Sequence, residues 1–131
     1  MKTIVAVLLF VAFTYGQKIE FSSPEVADRV IAGRAECAKI ETVDPKHLMR
    51  LGTYEDFPTF EDLKCYTMCI LNKFQVFDDD HTIKTDVLKP IFKAAVLEKF
   101  IANLDKCLPE DKKFETCEKV YNLHRCILKH L

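Results

Sequence analysis

A chain of 131 residues, 49% hydrophobic and with a formal net charge of −1, suits one domain and carries no charge excess to attract nucleic acid or anionic lipid. Three glycines and no tryptophan argue against a turn-rich β protein, so the composition points to helices.

Met1–Gly16 reads MKTIVAVLLFVAFTYG: a basic Lys2, an unbroken apolar run from Ile4 to Ala12, then a close on small residues. That run is far shorter than the ~20 residues needed to span a bilayer. It reads as a secretory signal peptide, residues 1–16, with cleavage expected after Gly16. The remaining domain, 17–131, is expected to be extracellular and not inserted in a membrane. Of the 19 basic residues only Lys2 leaves with the leader, so 18 face 20 acidic ones and the net becomes −2.

Ser23-Pro24-Glu25 is a helix start, with a serine cap, proline at the first helical position and an acid in the first turn. Val26, Val30, Cys37 and Ile40 make its apolar stripe, broken by Gly33. Asp44-Pro45 starts a short helix carrying Leu48, Met49 and Leu51, followed by a loop between Gly52 and Pro58. Thr59-Phe60-Glu61-Asp62 looks like a capping box and predicts one helix running through Leu63, Cys65, Tyr66, Cys69, Ile70 and Phe74. After the polar break Asp78-Asp79-Asp80-His81, a helix starts at Thr85 with Val87, Leu88, Ile91 and Phe92, shortened or kinked by Pro90. The next carries Val96, Leu97, Phe100, Ile101 and Leu104 and ends near Cys107. A final helix from about Asp111 carries Phe114, Cys117, Val120, Tyr121, His124 and Ile127. The prediction is all-α, with six helices and no strand.

Six cysteines stand at 37, 65, 69, 107, 117 and 126, an even number that behind a leader implies disulfides. Cys65 and Cys69 share a helix face with Cβ atoms roughly 5–6 Å apart, whereas a bridge wants about 3.8 Å. Cys117 and Cys126, nine residues apart, face opposite sides of the last helix. Neither pair should bond internally; the geometry narrows the pairings without choosing one.

The spacing of all six, with Cys-x3-Cys in Asp62-Leu63-Lys64-Cys65-Tyr66-Thr67-Met68-Cys69 and Cys-x8-Cys in Cys117–Cys126, closely resembles the insect odorant-binding and pheromone-binding protein family. The resemblance spans nearly all of the chain after the leader. It implies the pairs Cys37–Cys69, Cys65–Cys117 and Cys107–Cys126. It also implies a compact bundle stapled by those bridges around an apolar cavity. The implied function is a secreted carrier of small hydrophobic ligands, whether odorant, pheromone or fatty-acid-like, acting without catalysis. For an olfactory role a membrane chemoreceptor is a further partner, and the carrier is expected as a monomer or weak homodimer. The alternatives are a non-olfactory lipid carrier of haemolymph, saliva or seminal fluid and, behind it, a cytokine-like helical signalling protein.

No Ser-His-Asp or Cys-His arrangement is legible, so no catalytic residue is assigned and no cofactor is expected. Asp78-x-Asp80-x-Thr82 departs from a calcium loop, with Ile83 where glycine belongs and Lys89 where glutamate belongs. No metal site is expected. The candidate wall residues are Leu71, Phe74, Ile83, Val87, Leu88, Ile91, Val120, His124 and Ile127, whereas Ile70, Phe100, Ile101 and Leu104 are read as plain packing. His124, Tyr66 or Tyr121 would supply one polar contact, and Lys129 could hold a carboxylate. Any pH dependence between about pH 7 and 5 is expected from His124 or His130.

Overall fold

Local sequence accounts for most helix starts in the computed structural model, which describes residues 21–130. The expected leader and its cleavage site lie outside the described residues. Among the described residues seven helices follow in order: α1 Pro24–Ile40, α2 Pro45–Leu48, α3 Phe60–Leu63, α4 Tyr66–Lys73, α5 Thr85–Leu88, α6 Ala94–Cys107 and α7 Cys117–His130. Strand pairing among the described residues is limited to two isolated bridges, Phe21–Phe92 and Phe77–Ile83.

The Ser23 hydroxyl caps α1 by accepting from the Val26 N–H at 3.2 Å, and the Asp44 carboxylate caps α2 by accepting from Lys46 at 3.0 Å. Thr59 and Asp62 close a reciprocal capping box on α3, at 3.2 and 3.3 Å. The single helix expected after Thr59 is nevertheless two. Lys64 takes a left-handed φ of 53°, which ends α3 and leaves Cys65 as the residue that starts α4. That break turns the Cys65 N–H onto a carboxylate oxygen of Glu41, 3.1 Å away.

α5 lasts a single turn because Lys89-Pro90 cannot extend it. The last helix begins six residues later than expected, at Cys117 rather than Asp111. The Asp111 carboxylate instead accepts from its neighbour Lys113 at 3.0 Å, a local bond that competes with the helix. Lys112 is left-handed at φ 59°, and Thr116 supplies the real cap, accepting from Lys119 at 3.2 Å. Phe114 therefore sits in a loop, 1% exposed, with its N–H donating to the His81 carbonyl.

Cys37–Cys69 ties α1 to α4, Cys65–Cys117 ties the start of α4 to the start of α7, and Cys107–Cys126 ties the end of α6 to α7. All six cysteines are paired. Around the first bridge Val43, Phe57, Leu63, Tyr66 and Tyr121 form one apolar cluster. Tyr121 is locked there: its hydroxyl donates to the Pro58 carbonyl at 2.5 Å, and its ring meets Phe57 and Phe60 at 5.6 Å each. A second cluster, Leu104, Phe114, Val120 and Leu123, joins α6 to α7, and a third gathers Val76, Leu88 and Leu97. Ile40 and Ile101, expected to face inward, are 59% and 43% exposed.

Candidate ligand cavity

Between these clusters the side chains leave a cavity of about 420 Å³. Every helix except α3 contributes to its wall, and that volume lies within the ~300–1,000 Å³ of small-molecule sites. From α4 come Tyr66, Thr67, Ile70 and Leu71, and from α7 Leu123, His124 and Ile127. Phe74, Ile83, Leu88, Ile91 and Phe100 complete the apolar part. Met49, 54% exposed, also borders the space, so the cavity reaches solvent beside α2.

Of the wall residues expected from sequence, Leu71, Phe74, Ile83, Leu88, Ile91, His124 and Ile127 border this space. Val120 does not. It is fully buried against Leu104, Phe114 and Leu123, because its side of α7 faces α6 and the Phe114 loop. Val87 borders a different, more polar depression beside Arg29, Glu36 and Lys73, since the single turn of α5 points Leu88 inward and Val87 out. Ile70 and Phe100, read from sequence as plain packing, are on the wall as well.

The polar part of the wall is small. The hydroxyl of Thr67 and Nδ1 of His124 are 3.0 Å apart, and the imidazole also meets the Phe57 ring edge-on at 4.9 Å. Burial, reinforced by the nearby Arg34 charge, lowers the His124 pKa from 6.5 to about 4. The folded ring is therefore neutral between pH 7 and 5, so of the two histidines expected to confer pH dependence His124 does not become charged within the folded protein in that window. Burial pushes the Tyr66 phenol up to about 12, an effect the Arg34 charge only partly opposes, so Tyr66 remains a hydroxyl donor. Lys129 stands over the Tyr54 ring at 5.7 Å, with Arg125 at 4.8 Å, and neither lines the cavity.

Arg34 is the charged wall residue that sequence reading missed, as it also missed Thr67, Val76 and Leu123. It lines the cavity from α1, and its inward position follows from standing four residues after Val30 and three before Cys37 on the buried stripe. Attention to apolar positions on that stripe passed over it.

Metal chemistry finds no support in the residues grouped here. Among the described residues, Cys107, Cys126 and His130 cluster, but the two sulfurs are spent in their own bridge. Both carboxylate oxygens of Asp78 are taken up within its loop, by the Asp80 and Thr82 amides and the Thr82 hydroxyl. Those bonds hold Asp78 below the usual carboxylate range, as a turn would.

The class defined by these features is a disulfide-stapled helical protein built around an apolar cavity of small-molecule size. Residues 20–130 match the PBP/GOBP family, and the chain belongs to it, with three bridges that fit the six-cysteine odorant-binding type. Proteins of this family bind small hydrophobic ligands and are not enzymes. No match emerges among the curated proteins. Among the described residues no helix is long and apolar enough to cross a membrane.

Proposed function

We propose that the protein is a secreted carrier that takes a small hydrophobic or amphipathic molecule, odorant, pheromone or fatty-acid-like, into the cavity without altering it. The observation that carries this reading is the cavity itself: about 420 Å³ of space walled by apolar side chains from six helices. Filling it with an apolar ligand contributes roughly 25 cal/mol per Å² removed from water, less the cost of ordering the ligand. The bridges keep the surrounding helices from collapsing into that space. Arrival with a ligand already bound, seen by native mass spectrometry of protein from its own secreting tissue, is the expected result. So is uptake of N-phenyl-1-naphthylamine, displaced by long-chain alcohols, esters or acids. A protein that is ligand-free as isolated and takes up no hydrophobe would refute the carrier reading.

A further inference from the structure

We infer that the preferred ligand is an amphipath with an anionic head group, a carboxylate on an apolar chain, held by Arg34 with the Tyr66 hydroxyl beside it. The inference rests on the carrier reading and names the ligand class for the same cavity. Among the described residues Arg34 is the only acid- or base-derived full charge on a wall otherwise made of apolar, hydroxyl and neutral imidazole groups. Among the described residues no carboxylate lines the cavity, and no hydrogen bond or ion pair engages the Arg34 guanidinium. The neighbouring acids on α1 and just beyond it are committed elsewhere, Glu36 to Lys73 at 2.9 Å and Glu41 to the Cys65 amide.

A guanidinium stays protonated in proteins, so this charge cannot be relieved by losing a proton. Facing an apolar cavity without a counter-ion is unfavourable, and an anion delivered by the ligand offsets it. The planar fork of donors matches a carboxylate bidentately, which an alcohol or ester cannot reproduce.

The arrangement of the other polar groups agrees. Tyr66 is 1% exposed and lines the same space, and no protein group accepts from its hydroxyl among the described residues. Arg34 acts electrostatically on both Tyr66 and His124, which gathers the charged and hydroxyl groups at one part of the wall. Thr67 and His124 satisfy each other, and the neutral ring brings no competing positive charge. Phe74, Ile83, Leu88, Phe92 and Phe100 all belong to or pack on a single apolar cluster that would receive the chain.

The test compares dodecanoic acid, 1-dodecanol, methyl dodecanoate and dodecylamine as displacers of N-phenyl-1-naphthylamine from the oxidised protein at about pH 7.5, where the acid is ionised. The acid should bind at least about tenfold tighter than the alcohol, and the amine should bind weakest. R34M, which keeps the apolar stem, should lower the ratio of acid to alcohol affinity by about tenfold to a hundredfold, and R34K should restore part of it. Equal or tighter binding of dodecanol by the unaltered protein, or an acid-to-alcohol ratio that R34M leaves in place, overturns the assignment while the carrier reading stands. If no displacer and no probe binds, both fall. Should R34M fail to fold, the head-group order in the unaltered protein together with R34K decides.

Discussion

Two stretches of chain wall the same cavity by different means. α1, α4 and α7 are joined covalently through Cys37–Cys69 and Cys65–Cys117, and around the first of these Phe57, Tyr66 and Tyr121 pack as one knot. The stretch from Val76 to Phe92 lies between Cys69 and Cys107 and contains no cysteine. It is held by the burial of Val76, Leu88 and Ile91 and by a few hydrogen bonds. Among these are Ser22 to Ile91 at 2.9 Å, the Ser22 hydroxyl to the Pro90 carbonyl, and Lys84 to Val76 at 2.7 Å. The contrast teaches that bridges set the frame, and that side-chain packing and a few hydrogen bonds close it. Native-state hydrogen exchange should accordingly open Val76–Phe92 before α4 or α7.

The strongest attack on the frame is removal of Cys65–Cys117, whose 52-residue separation corresponds to about 4 kcal/mol by the loop-entropy relation. A Cys65→Ser, Cys117→Ser protein should lose about that much in denaturant unfolding, more than loss of the 19-residue Cys107–Cys126 bridge at about 3 kcal/mol. In the unbridged stretch, Leu88→Ala removes a side chain that is 4% exposed and should cost about 3 kcal/mol. It should also weaken probe binding, because Leu88 forms part of the wall. Little change in both stability and affinity would show that the stretch is braced by something other than packing.

Acid should act on the bridged half. The pKa of His124 is about 4 when folded against an ordinary 6.5, so the unfolded chain takes up a proton first. Its contribution is fully present above pH 6.5 and is lost as pH falls toward 4, reaching about 2 kcal/mol by pH 5. His124→Gln should flatten that part of the stability profile, measured by thermal or denaturant unfolding. The smallest effect is a gain. A methyl group at Gly33 would meet Lys73 Cδ at 3.5 Å and Phe74 Cε2 at 3.7 Å, ordinary contact distances. Gly33→Ala should therefore stabilise α1 by up to ~1 kcal/mol.

Helix starts were legible wherever a cap is written in adjacent residues, as at Ser23, Asp44 and Thr59. Ends and breaks were not. The left-handed turn at Lys64 carries no glycine to announce it, and Asp111 looks like a cap yet spends its carboxylate on a turn. Most cavity residues followed from helical period, because an inward stripe is shared by core and wall. What period cannot assign is which inward side chain meets a neighbour and which meets empty space. Val120 and Phe100 differ in that respect alone, and it depends on where α6, α7 and the Phe114 loop cross. Arg34 escaped for the opposite reason, a charge on a stripe read only for its apolar members.

α7 is anchored at Cys117 and at Cys126, on flanks half a revolution apart, to two different parts of the chain. A rod pinned on opposite sides cannot roll about its own axis without straining a covalent link. The face that carries Leu123, His124 and Ile127 is thus fixed in azimuth, like a keel. Admission of a guest must then be accommodated across from it, by displacement of the Met49–Gly52 rim or of the cysteine-free stretch. Breathing of the chamber is one-sided.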